Sequence, residues 1–164
     1  MISVAIHPAE TQMPHTNPAD DALRELLATS RTIAMVGASS KPNRPSHGIM
    51  KLLLGAGFRV IPVSPNETEV LGQRAYDALD AIEEPVDIVD VFRRAGDTPP
   101  VADDAVKIGA RALWLQLGIS NDDAAARAEA GGLMVVMNAC IGVTVQRLGI
   151  RHGTEAPARG RSTR

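Results

Sequence analysis

Between residues 32 and 137, short apolar runs alternate with segments of helical period, and this alternation constrains the fold more than any other feature of the chain. Strands are expected over 32–36, 58–63, 86–92, 111–117 and 133–137. A single stripe of Ile49, Leu52, Leu53 and Ala56 marks the first intervening helix, with Ser46 as candidate N-cap and Gly55/Gly57 closing it. A short helix is expected near 77–82, and another opens at Thr98-Pro99-Pro100 by capping and a first-turn proline and ends at Gly109. Ser120-Asn121-Asp122-Asp123 opens an alanine-rich helix in a near capping box, and Gly131-Gly132 stops it. These connections are too long for hairpins, so they predict right-handed crossovers between parallel strands. The fold class is therefore α/β, an open parallel sheet of about five strands with helices on both faces. Aromatic residues make up only 2% of the chain against 45% hydrophobic content, so aliphatic side chains must fill the core, as suits a sheet buried on both sides.

A length of 164 residues fits one domain. Residues 18–149 form that domain, opening with a helix over 18–29 that carries Ala22, Leu23, Leu26 and Leu27 on one face. Residues 1–17 show no sustained period and read as a flexible leader whose two histidines lack the partners a metal site needs. Residues 150–164 read as a basic, disordered tail of net charge +3, leaving −5 for the rest of a chain whose total is −2. That balance gives no reason to expect nucleic acid or an anionic membrane as a partner. Cys140 is the only cysteine, which excludes an internal disulfide and fits a reducing compartment. With no signal-peptide pattern and no apolar run of membrane-spanning length, a cytoplasmic location is expected.

In open parallel sheets, ligands lie outside the carboxyl ends of the strands. The rule selects residues 37–44, 64–66, 92–94, 116–119 and 138–140. The first of these segments joins a strand to a helix through small residues, so it directs backbone N–H groups and a helix N-terminus at one place, where an anion is stabilised. A dinucleotide fingerprint needs glycine at its first, third and sixth positions, but only Gly37 is present, with Ser39 third and Pro42 sixth. Lys41 and Arg44 add cations to this loop, and Arg93 and Arg94 follow the third strand, so a polyanion is the natural partner. After the second strand comes Val63-Ser64-Pro65-Asn66, without the acid that NAD-binding folds place there for the ribose diol; Glu67 falls past the turn. A phosphorylated ribose, or an adenine against Val63 and Pro65, suits this segment better.

Catalytic patterns are sparse: the chain has no nucleophile elbow, no Walker loop and no paired zinc histidines. His47 reads as an exposed helix-start residue and Asp90 as a buried structural carboxylate. Cys140 falls just past the fifth strand, where a thiol can meet the end of a bound cofactor.

Several ordered motifs together resemble one family. They are Gly37-Ala38-Ser39 with Pro42-x-Arg44-Pro45-Ser46, Val60-Ile61-Pro62-Val63-x-Pro65-Asn66, and Val86-Asp87-Ile88-Val89-Asp90-Val91-Phe92-Arg93, followed by Trp114-Leu115-Gln116-Leu117-Gly118 and Val136-Met137-Asn138-x-Cys140-Ile141. Over about 30–148 the chain resembles the small stand-alone CoA-binding domain proteins, which are similar to the N-terminal domain of the succinyl-CoA synthetase α-subunit. The resemblance implies a Rossmann-like domain that binds coenzyme A or an acyl-CoA. It puts Gly37, Ala38, Ser39, Lys41 and Arg44 at the phosphates, Val63 and Pro65 on the adenine side, and Phe92 and Arg93 on the opposite wall. Asn138 and Gly142 depart from the family, which commonly has Asp and a basic residue there. No counterpart of the synthetase's phosphohistidine-carrying domain follows residue 148. The expected function is a CoA-binding module without catalysis of its own, as sensor, carrier, partner subunit or homo-oligomer. The alternatives are a component of an NDP-forming acyl-CoA synthetase acting with a partner, or an NADP-binding oxidoreductase.

Overall fold

A computed structural model of the protein describes residues 15–153. Of the expected leader over 1–17 and tail over 150–164, residues 1–14 and 154–164 lie outside the described residues. Five strands, β1 (Thr32–Val36), β2 (Arg59–Val63), β5 (Ile88–Val91), β6 (Ala112–Leu115) and β7 (Met134–Val136), form one parallel sheet in the order β2-β1-β5-β6-β7. Two further strands, β3 (Glu69–Val70) and β4 (Gln73–Arg74), make a small hairpin whose turn residues Leu71 and Gly72 both have positive φ, as a two-residue turn of this hand requires. Outside β2 the sheet gains one isolated parallel bridge, Val63 to Tyr76. The expected α/β class is what forms: a Rossmann-like sheet in which the place of a strand beyond β2 is held by a single residue pair. The direction of winding reverses between β1 and β5, and the crevice of a doubly wound sheet opens at that point.

Alternation along each strand divides the core into two layers. Ile33 and Met35 of β1, Ile88 of β5 and Trp114 of β6 face helices α1 (Asp20–Thr29), α2 (Pro45–Gly55) and α5 (Ile141–Arg147), meeting Leu27, Met50, Leu53 and Ile141. Ala34, Val36, Val89, Val91 and Leu113 face α3 (Thr98–Lys107) and α4 (Asp122–Ala130), which present Ala102, Ala105, Ala124, Ala125 and Ala128. Small side chains let α3 and α4 lie close to the sheet. Bulky ones on the other face fill the wider space beneath α2 and α5, where Trp114 is fully buried and its indole N–H donates to the Ala139 carbonyl at 2.9 Å.

Local details correct several sequence expectations. Pro45 takes the first helical position of α2, so Arg44 becomes the N-cap and Ser46 sits buried in the first turn. Thr98 likewise begins α3 instead of capping it, and its hydroxyl donates to the Ala95 carbonyl at 2.7 Å. The short helix near 77–82 is a single 3-10 turn, Leu79–Ala81. Helix α4 opens within the expected Ser120–Asp123 segment, with Asn121 as its cap and not the Ser120 of a capping box; Asn121 Oδ1 accepts from the Ala124 N–H at 2.8 Å. Residues at both ends of the described chain pack on the domain. Asn17 donates to the Met137 carbonyl and accepts from the Met137 N–H, and His15 lies 2.9 Å from Glu129. At the other end, the His152 ring stands edge-on to Phe58.

Candidate functional site

The carboxyl ends of the strands enclose a cleft of about 1240 Å³ at the reversal point. Its wall draws on all five segments that the strand-end rule selects: the loop from Gly37 to Arg44, Ser64 and Asn66, Phe92 to Arg94, Gln116, Leu117 and Ile119, and Cys140. Gly37 anchors the loop. Its φ is +90°, its N–H donates to the Val63 carbonyl at 2.9 Å, and a Cβ there would stand 2.3 Å from the Phe92 carbonyl oxygen. Glycine is therefore required both by conformation and by space. Beyond it, the Lys41 N–H donates to Ser39 Oγ at 3.1 Å and the Arg44 N–H to the Lys41 carbonyl at 3.0 Å, turning the chain into α2.

Among the residues expected from sequence, Gly37, Ala38, Ser39, Lys41, Arg44, Phe92, Arg93 and Cys140 come together in this wall. Val63 and Pro65 do not line it. Val63 is buried at the end of β2, Pro65 is exposed, and the wall between them is Ser64, with Asn66 next. His47 lies outside the wall. Lys41, Arg44 and Arg93 have no carboxylate partner among the described residues, whereas the exposed Arg94 pairs with Asp97 at 3.4 Å. Three such cations in the wall of one cleft can hold an anion of several charges.

Two carboxylates shape this end of the sheet. Glu67, expected past the turn, reaches back 27 residues to the loop and accepts from the Ser40 N–H at 2.9 Å and the Ser40 hydroxyl at 3.1 Å. The backbone N–H first, then the hydroxyl, hold its carboxyl below the usual range. Sequence reasoning missed this contact because nothing local to Glu67 encodes it. Asp90 is fully buried as expected, between Met35 and Trp114 in register. Gln116, a cleft residue, donates to its Oδ1, and its Oδ2 has no partner among the described residues. Burial pushes its carboxyl up to about 8. Gln116 of the cleft wall is thus bonded from behind to a carboxyl whose burial favours the neutral form.

With this geometry in place, comparison with known proteins assigns the family. The model of the CoA binding domain family matches residues 31–146. The chain belongs to this CoA binding domain family. A Bacillus subtilis (strain 168) relative, the uncharacterized protein YneT, is 39% identical over 127 residues, covering 77% of this chain and 94% of its own. A solved structure of a hypothetical protein from Pyrococcus horikoshii OT3 is similar at a TM-score of 0.78 and 36% identity, covering 83% of this chain and 99% of that one. The dinucleotide forming acetyl-coenzyme A synthetase 1 of Ca. Korarchaeum cryptofilum, in complex with phosphate and ADP, is similar at a TM-score of 0.63 and 25% identity, over 71% of this chain and 27% of its own.

Within the family frame, the two departures have local accounts. Asn138 adopts φ +54° and its Oδ1 accepts from the Gly118 N–H at 2.7 Å, tying the turn after β6 to the turn after β7. Gly142 lets α5 approach α2, since a Cβ there would stand 3.1 Å from Ile49 Cδ1. Among the described residues, no helix is long and apolar enough to cross a membrane, and no three His, Cys, Asp or Glu residues converge as metal ligands.

Proposed function

We propose that the cleft binds coenzyme A or an acyl-CoA, and that the protein acts as a cytoplasmic binding module without a reaction of its own. The observation that carries this reading is the set of three cations without carboxylate partners among the described residues, Lys41, Arg44 and Arg93, in the wall of one cleft in a chain of the CoA binding domain family. Their number suits a ligand with a diphosphate and a third phosphate. On this reading Gly37, Ala38, Ser39, Lys41 and Arg44 take the phosphates, and Ser64 and Asn66, which line the cleft where Val63 and Pro65 do not, mark the adenine side. Phe92 and Arg93 form the opposite wall, and Cys140 stands toward the thiol end. Isothermal titration of the folded protein with CoA and acetyl-CoA tests it: a dissociation constant in the micromolar range is expected, and no binding of either below millimolar concentration overturns it.

The likeness to an acetyl-coenzyme A synthetase favours a second reading, a component that meets its catalytic half on a separate chain. Retention of a nucleotide-binding partner during affinity purification, with acyl-CoA formation only in the mixture, would select it over the autonomous module.

A further inference from the structure

Among the residues lining the cleft, Glu67 is the one acid, set against four basic side chains. It forms no ion pair with any of them among the described residues. Its carboxylate lies instead on the Ser40 N–H and hydroxyl. A loop N–H at the wall of a cleft, shortly before a helix N-terminus, is the kind of donor that phosphoryl oxygens use. A side-chain carboxylate on that donor is an anion in an anion's place, supplied by the protein itself. Both residues border the cleft, so the contact stands where a ligand passes.

We infer that Glu67 is a specificity-determining residue: it holds the Ser40 donor pair, so a phosphoryl group takes that position only by displacing a carboxylate of the same charge. The inference rests on the reading that the cleft binds a CoA-type ligand. Glu67 makes the loop more selective by opposing anions that lack enough contacts elsewhere with Lys41, Arg44 and Arg93 to offset the displacement. A plain brace for the loop would act in the opposite direction, since its loss would loosen the donors and weaken binding.

Two variants separate these roles. Glu67→Gln keeps the shape and one acceptor without the charge, and Glu67→Ala vacates the place; thermal unfolding verifies that each remains folded. Titration with CoA should show roughly 3- to 10-fold tighter binding to both, the scale of a charged contact moderated by solvent, and no comparable gain for uncharged adenosine. Unchanged or weaker CoA binding in both variants, with wild type binding normally, overturns the role of Glu67 and leaves the proposed function standing. Equal tightening of adenosine also overturns it, because space and not charge would then be the cause. Failure of wild type and both variants to bind CoA removes the proposed function, and this inference with it.

Discussion

Where the strands begin, Asp87 accepts from the N–H groups of Arg31 and Thr32 at 2.8 and 3.0 Å, Arg59 forks onto Glu84, and Arg111 donates to the Ser30 hydroxyl. Where they end, Lys41, Arg44 and Arg93 have no carboxylate partner among the described residues, and Glu67 rests on a serine. Asp87 and Glu67 each accept from two donors, yet one closes the sheet on itself and the other stands in a cleft. The difference teaches that polar contacts of equal geometry do different work at the two ends. At the amino ends they satisfy groups that would otherwise be stranded near the core; at the carboxyl ends they occupy positions open to a ligand.

The largest expected effect belongs to Asp90, which is fully buried in the sheet and accepts from Gln116 of the cleft wall. Its folded pKa is raised to about 8 from an unfolded value near 3.8, so the native state holds a proton that the unfolded chain releases. Its neutral form is fully compatible with folding below about pH 4, and stability falls as pH rises from there through about 8. Denaturant titrations of wild type and Asp90→Asn should therefore give similar stability near pH 4 and diverge by several kcal/mol toward pH 8, with wild type the weaker. Parallel curves would show that Asp90 is not held neutral. Next comes Gly37→Ala, whose Cβ meets the Phe92 carbonyl at 2.3 Å in a left-handed conformation. It should lower stability by about 2–5 kcal/mol and weaken CoA binding as well, as chemical denaturation and calorimetry would read. The smallest effects form a crossed pair. Asp87→Ala should cost about 1–3 kcal/mol of stability and leave CoA affinity unchanged. Lys41→Ala or Arg44→Ala should cost about 1–3 kcal/mol of CoA affinity and shift stability by less than about 0.5 kcal/mol. If Asp87→Ala impaired binding, or the loop variants unfolded, the division between the two ends would fail.

Much of this arrangement is legible in the sequence because the sheet is parallel and buried on both faces. Apolar runs such as 32–36 and 86–92 have no competing amphipathic reading, and the strand-end rule then names the segments that border the cleft. Elements set by distant contacts are less legible. Helix α5 is not anticipated, since Ile141, Val143, Thr144 and Val145 are β-branched and weak helix formers; burial of Ile141, Thr144 and Val145 outweighs that preference. The caps at Ser46 and Thr98 shift because Pro45 takes the first helical position of α2, and because the 3-10 turn Ala95–Asp97 runs straight into α3 and makes Asp97 its N-cap. Glu67 is missed for a related reason: its partner lies 27 residues earlier, and no spacing rule reports a side chain reaching across a sheet edge. Val63 reads as a wall residue from its place at the end of β2, yet its side chain is buried and its carbonyl serves Gly37.

The contact between Gly37 and Phe92 also bears on the energetics of recognition. Backbone meets backbone there, with Gly37 bonded to β2 and the Phe92 N–H donating to the Val36 carbonyl at 2.8 Å. The roots of the loop that carries Lys41 and Arg44 and of the turn that carries Arg93 are thus parts of one rigid piece, with no room for a hinge between them. A ligand spanning both would find its two anchorage points already at fixed separation, so little conformational entropy is lost in bringing them together. The same preorganisation sets a length preference, with only the side chains of Lys41, Arg44 and Arg93 left to adjust to a molecule whose phosphates are spaced differently.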